Sequence, residues 1–455
     1  MTTFTQFDTY VRAREREYID ELKVLIRQPT VSAQGIGIPE TAQIVLDRAK
    51  KRGGIAAEAL TVDGGPPTIV GETGRGERTL LVYNHYDVQP PDPLDEWATP
   101  PFEPTERGGF LYGRGVSDNK GNLMARLQAI EAYRATIGEL PLRIRVLYEG
   151  EEESGSAHLA AFVARHGERL RADGCVWEAG YKDAAGRPTI SCGLKGIAYL
   201  ELRVRGASKD AHSSLGTIVP NAAWRLVWAL ATLKNPSDEV TIDGFMECVR
   251  PPTAADRELL ERLPFDERGM LGIHGITRFV RDLEGYELKK KHFLEPTCTI
   301  CGMVSGYTGA GSKTVLPAVA SAKIDFRLVP DLTPEKVTTL LRAHLDRRGF
   351  EDVEIRPGHG EPPSRWPTDS VTAKAAVDAC RDTYGTEPVV YPLLAGSGPM
   401  AQVCDALAIP AAGFGSGNAA SANHAPNENI ALADYIDHIR AFGRFLHTFA
   451  GRSLA

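Results

Sequence analysis

His85 and Asp87 stand two residues apart at the end of an apolar run, in the stretch VYNHYDVQP. On a strand, the side chains of residues i and i+2 share a face. Asp87 would then lie where an acceptor can fix the tautomer and ring of a metal-binding imidazole. Alone, the pair is an ordinary histidine beside an acid. Three other apolar runs end the same way. The run 144–148 leads into EGEEESGS with Glu151, Glu152 and Glu153, the run 174–177 into Glu178, and the run 406–414 into GSGNAASANHAPNEN with His424. Asp118 lies in GRGVSDNKGN, whose glycines permit tight turns. Each member has a plainer role available: a solvated acidic loop, a helix N-cap at Asp118, an arginine partner for Glu178, a loop hydrogen bond for His424. Together, two histidines and several carboxylates make a mixed nitrogen and oxygen donor set suited to zinc, manganese or cobalt. A shared carboxylate would let the set hold two ions.

Such residues converge only if the runs are neighbouring strands. Runs 79–83, 144–148, 174–177 and 406–414 are continuously apolar, as in a sheet covered on both faces. Between them lie helical stretches: an opening amphipathic helix stopped by Pro29, one over 120–135 marked by Leu123, Leu127 and Ile130, and one over 433–449. Alternating strands and helices predict an α/β domain with a largely parallel sheet, which binds ligands at the carboxyl ends of its strands. Near residue 196 the pattern changes. IAYLELRVRG and AKIDFRLVP alternate apolar and polar residues, as half-exposed strands do. One accompanying helix holds Trp224, Val227 and Trp228, and another has Thr333 at its N-cap and Pro334 at its first position. The middle of the chain therefore reads as an α+β two-layer domain inserted into the first. The expected boundaries are 1–194 with 395–455 for the α/β domain and 195–394 for the insert. Within the insert, residues 235–296 are charged, contain prolines and show weak periodicity.

The totals agree with two domains: 455 residues, 42% of them hydrophobic and 24% charged. A formal net charge of −7 offers no basic footprint for nucleic acid. No stretch has the apolar length of a membrane span, and MTTFTQFDTYVRARERE becomes charged too early for a secretory signal. Seven cysteines without regular spacing suit reduced thiols, so a cytoplasmic location is expected. Cys298 and Cys301 form a C-x-x-C, but their neighbours predict an ordinary strand. No G-x-S-x-G elbow follows a strand, which argues against a serine hydrolase.

In order along the chain, VYNHYDVQP, GRGVSDNKGN, EGEEESGS, GLKGIAYLELRV, KDAHSS, GSKTVLP, DFRLVPDLTPE and NHAPNEN resemble the M20 family of metallopeptidases, the carnosine dipeptidase and aminoacylase superfamily. The opening helix ending LIRQPTVSA is also similar to that family. The resemblance implies a zinc-peptidase type catalytic domain and a lid that also forms a homodimer. It implies two divalent ions, most readily Zn2+, with Mn2+ or Co2+ as alternatives. His85 and Glu178 would hold one ion, Glu153 and His424 the other, and Asp118 would bridge them. Glu152 would be the general base, Asp87 would orient His85, and Glu151 falls outside the pattern. His212 resembles a histidine that reaches the reaction from a partner's lid. Arg327, Thr314, Gly396 and Ser397 resemble residues that hold the substrate's carboxylate. The activity implied is hydrolysis of dipeptides or short peptides. Glutamate at 178, where dipeptidases of the family usually have aspartate, keeps an N-acyl-amino-acid deacylase, desuccinylase or carbamoylase as the alternative. A catalytically silent scaffold is disfavoured because every implied ligand and the base are present.

Overall fold

The computed structural model describes residues 3–178 and 180–454. The chain folds into two compact units, one built from residues up to 193, 366–392 and from 399 onward, the other from 194–365 and 393–398.

The first unit opens with helices α1 (Thr3–Ala13), α2 (Glu15–Arg27) and α3 (Ile38–Lys51). The single amphipathic helix expected here is broken at Arg14. Strands β1 (Ala56–Leu60), β2 (Thr68–Thr73) and β3 (Thr79–His85) precede helix α4 (Lys120–Thr136). Then come β4 (Arg143–Glu149), helix α5 (Leu159–His166), β5 (Gly174–Trp177) and β6 (Thr189–Ser191). The second unit contributes β7 (Gly196–Arg205), helices α6 (Ala222–Leu230), α7 (Ala254–Arg262), α8 (Glu267–His274) and α9 (Gly285–Leu294), strands β8 (Thr299–Ser305) and β9 (Val319–Leu328), helix α10 (Pro334–Arg347) and strand β10 (Glu354–Glu361). The chain re-enters the first unit with helix α11 (Val371–Tyr384) and strand β11 (Val389–Tyr391), and ends there with β12 (Ala411–Gly413) and helix α12 (Leu432–Phe449).

The large sheet has eight strands in the order β1-β2-β4-β3-β5-β12-β6-β11. Its centre, from β4 through β3 and β5 to β12, is parallel. The β1-β2, β2-β4 and β12-β6 pairings are antiparallel. This is the mostly parallel α/β sheet that the apolar runs predict. Strand β3 continues through His85, so the first metal-competent side chain sits on the strand's final residue. Helix α4 is buried from Lys120 to Ile130 on every side and packs against β3, α1, α2 and α12.

Two expectations need correcting. Within the run 406–414, only Ala411–Gly413 is a strand. Residues 401–405 form a wide helical turn, and Ala408 takes a positive φ of 55° just before Pro410. A short apolar run carries no periodicity to separate the two conformations. Residues 366–392, expected in the insert, pack instead in the first unit, and residues 395–398, expected in the first domain, belong to the second unit. There α11 lies against α12, and β11 pairs in parallel with β6 at the edge of the large sheet.

In the second unit the sheet order β8-β9-β7-β10 is antiparallel throughout. Ala198, Leu200, Leu202 and Val204 of β7 and Ile324, Phe326 and Leu328 of β9 face one core, while the alternate residues of β7 stay more exposed. That is the two-layer arrangement the alternation predicts. Thr333 caps α10 by accepting from the Lys336 amide at 3.2 Å, with Pro334 at the first turn. The weakly periodic 235–296 stretch holds α7, α8 and α9. No helix among the described residues is long and apolar enough to cross a membrane.

Candidate metal centre

Three parallel strands bring the candidate ligands together at their carboxyl ends. β3 ends on His85, β4 leads through Gly150 to the short turn Glu152–Ser154, and β5 is followed directly by Glu178. The loop before α4 supplies Asp118 and the segment after β12 supplies His424, whose φ of 61° is left-handed and unusual for histidine.

The two oxygens of Asp118 serve different histidines. Oδ1 lies 3.1 Å from His85 Nε2, and Oδ2 lies 3.2 Å from His424 Nε2. On the His85 side, Glu178 Oε2 is 3.6 Å and Glu152 Oε2 is 4.0 Å from the same Nε2. On the other side, Glu153 Oε2 is 3.1 Å from His424 Nε2. One donor atom from each of His85, Asp118 and Glu153 falls within 4.8 Å of the others. Glu151 turns away, and its carboxylate lies 2.9 Å from His158 Nδ1.

Behind these groups, each part is held by hydrogen bonds. His85 Nδ1 is 3.1 Å from the Asp87 carbonyl and 3.4 Å from its carboxylate. Asp87 also accepts the backbone amides of Glu152 at 3.2 Å and Glu153 at 3.0 Å, so one buried acid ties the end of β3 to the glutamate turn. Gln89 donates to Glu153 Oε2 at 2.9 Å. Sequence reasoning missed two further residues. Glu428 is fully buried; its carboxylate accepts the amides of Gly115, Ser117 and Asp118 at 2.8 to 2.9 Å and meets Arg114 Nη1 at 2.9 Å. It fixes the loop that carries Asp118. Arg126, also fully buried on α4, donates Nη1 to the Tyr83 carbonyl and the Asn84 side chain at 3.0 Å each. Its Nη2 donates to the carbonyls of Trp177 at 2.7 Å and Phe414 at 3.1 Å. One guanidinium thus joins the ends of β3, β5 and β12.

The electrostatics call for cations. Among the described residues, no lysine or arginine pairs with Asp118, Glu152, Glu153 or Glu178. Burial pushes the Glu178 carboxyl up to about 7 and, with the Glu178 carboxylate adding to it, raises Glu152 well above the usual range. Burial opposes protonation of His85, yet Asp118 and Asp87 raise it well above the ordinary imidazole value. Asp118 and Glu153 push His424 up to about 10. The buried Glu178 Oε2 has no hydrogen-bond donor. A donor set this rich in acid, with an orphaned oxygen inside it, fits divalent ions, which remove the penalty of gathering the carboxylates.

The remaining candidates lie in the second unit and form two groups. His212 Nε2 is 3.3 Å from Thr314 Oγ1, its Nδ1 is 2.8 Å from Ser214 Oγ, and its short strand pairs with 315–316. Arg327 donates Nη1 to Ser397 Oγ at 2.8 Å, with Asp325 at 3.4 Å from its Nε. Gly396, exposed beside Ser397, has open space where a Cβ would stand.

Comparison with known proteins agrees with this geometry. The profile of peptidase family M20/M25/M40 matches residues 81–448. The Cys-Gly metallodipeptidase DUG1 of Candida albicans is 28% identical over 97% of this chain and 96% of its own. The Beta-Ala-His dipeptidase of Rattus norvegicus is 27% identical over 97% and 95%. The crystal structure of the M20 family metallo-carboxypeptidase Sso-CP2 from Sulfolobus solfataricus superposes with a TM-score of 0.89 at 38% identity, covering 95% of this chain and 99% of that one.

Proposed function

The chain belongs to peptidase family M20/M25/M40 and is a peptidase, and on that premise we propose that it hydrolyses dipeptides or short peptides at a centre of two divalent cations. The observation that carries this reading is Asp118, whose two oxygens address two separate histidine–glutamate pairs. His85 and Glu178 would hold one cation and Glu153 and His424 the other, with Asp118 offering one oxygen to each. Mixed nitrogen and oxygen donors favour zinc, with manganese or cobalt as substitutes. Bound there, the cations supply acidity to a water and polarise the scissile carbonyl. Glu152 takes the water's proton and delivers it to the leaving nitrogen. Asp87 keeps the His85 ring in place. In the second unit, Arg327 and Ser397 beside Gly396 receive the substrate's carboxylate, and His212, positioned with Thr314, stabilises the developing oxyanion.

Glu178 favours a second reading that uses the same centre: removal of N-acyl groups from amino acids, or of the last residue from longer peptides. A panel of Xaa-Gly and Xaa-Phe dipeptides, tripeptides and N-acetyl and N-succinyl amino acids, assayed alongside metal analysis, separates them. Two metal equivalents per chain and fastest turnover of dipeptides are expected. One equivalent would remove the bridged centre, and turnover of N-acyl amino acids alone would select the second reading.

A homodimer through the second unit is part of this proposal. Trp224 and Trp228 on α6 are stacked at 6.0 Å and more than half exposed, and the edge strand β8 exposes Ile300, Met303 and Val304. Bare apolar edges of this kind are ordinarily covered. If His212 acts on the partner's substrate, mixing inactive His212→Ala and Glu152→Ala chains yields heterodimers with one intact site. Partial recovery of activity is expected after mixing and subunit exchange. No recovery, with heterodimers verified by mass, would place His212 in its own subunit's site or outside catalysis.

A further inference from the structure

We infer that an apolar cavity in the second unit selects substrates by the side chain of the residue whose carboxylate Arg327 and Ser397 receive, favouring bulky aliphatic or aromatic groups. The inference rests on the hydrolase reading above and adds the substrate class to it.

The cavity measures about 630 Å³, within the range of small-molecule sites. Val240, Phe265, Met270, Phe279, Leu288 and Cys298 form its apolar wall. Most of that wall comes from the 235–296 stretch, which the metal chemistry does not use. Helix α8 has an apolar side in Met270, Leu271 and Ile273, yet buries none of its residues, and Val280 just beyond it is half exposed. Of these, Met270 and Val280 line the cavity.

Charged side chains also line the cavity. Along the wall the cations have acidic partners: Lys234 pairs with Asp238, Lys291 lies 3.4 Å from Asp238, and Arg278 lies 3.3 Å from Asp282. Burial and Lys195 lower the His292 imidazole to about 4, so it is neutral at pH 7. Arg327 and Ala395 line the cavity beside the Ser397 hydroxyl, and the Arg327 amide is fixed by Thr297 Oγ1 at 2.9 Å. Lys195, also in the wall, gives two N–H groups to the carbonyls of His292 and Glu295 at 2.8 and 2.7 Å. An ammonium has three donors, so one is left for a ligand. A largely apolar cavity whose lining includes Arg327 and Lys195 fits a molecule with a carboxylate and a large apolar side chain next to it. Glycine would leave the chamber empty, whereas leucine or phenylalanine would remove its wall from water.

The test compares kcat/KM for Ala-Gly, Ala-Leu and Ala-Phe in the wild type, Met270→Asp and Val280→Asp. The wild type is expected to favour Ala-Phe over Ala-Gly by about tenfold or more, and each variant to lower that ratio about tenfold. Val280 is exposed enough for its substitution to fold even if that of Met270 does not. A wild type preferring Ala-Gly, or variants with an unchanged ratio, would overturn the inference. A binding measurement keeps it separate from the reaction. By calorimetry, N-acetylphenylalanine should bind the wild type about tenfold more tightly than N-acetylglycine, and Met270→Asp should erase the difference. If no dipeptide is cleaved, the dipeptidase reading fails while this binding arm still decides the cavity. Equal affinities would overturn the cavity's role whatever the enzyme cleaves.

Discussion

Glu152→Gln is expected to lower kcat by about 10²- to 10⁴-fold, the usual contribution of a positioned general base, while metal content stays at the wild-type level. The amide keeps the size of the side chain and one acceptor oxygen but cannot accept a proton. Glu152 stands 4.0 Å from His85 Nε2, on the same side of Asp118 as Glu178, in a pocket where burial and the Glu178 carboxylate resist its ionisation. An acid whose pKa is raised by folding opposes the folded state once the pH exceeds its unfolded value. Metal-free Glu152→Gln should therefore melt no earlier than metal-free wild type at pH 7. Mass spectrometry of the metal and calorimetry of the apoprotein provide the check. Loss of metal together with activity would make Glu152 a ligand and leave the proton transfer without a base.

Arg126→Met should be destabilising by about 3 kcal/mol and should weaken metal retention, although Arg126 touches none of the proposed ligands. Its guanidinium donates to three carbonyls and the Asn84 side chain, at the ends of strands that lead to His85 and Glu178. Methionine fills similar volume and relieves a buried cation whose pKa burial lowers to about 10, which offsets part of the loss. Arg126→Lys is expected to fail as well, since a point charge cannot fork to acceptors on three strands. The measurements are the thermal midpoint of the apoprotein and the metal left after dialysis. If neither changes, the strand ends are held by the sheet alone.

His85, the 151–153 glutamates and Glu178 were legible because each follows a short apolar run, and strand ends of a parallel sheet meet at one rim; Asp118 and His424 sit on loops and carried no such mark. Asp87 was singled out from its nearness to His85, although the strand stops at His85 and does not itself place the two on one face. Glu428 was not, because an acid in a polar loop carries no local sign that its partners are the amides at 115–118. Arg126 had a readable signal that went unused. It sits among Leu123, Met124, Ala125, Leu127, Ala129 and Ile130, and a charge buried within such a run requires buried acceptors. The 406–414 run misled because length and apolarity do not separate strand from helical turn. The 366–392 boundary was lost because no change of pattern in the sequence marks the chain's return to the first unit at 366. Within 235–296, α8 was hidden by exposure: it buries nothing, so no periodic core pattern marks it.

Glu428 also sets an order of events during synthesis. The amides it gathers were made more than three hundred residues earlier, and His424 arrives only four residues before it. On the ribosome, a nascent chain already carrying His85, Asp118, Glu153 and Glu178 lacks both the second imidazole and the clasp that shapes the Asp118 turn. Under the proposed assignment the centre therefore cannot be complete until the last tenth of the chain has been made.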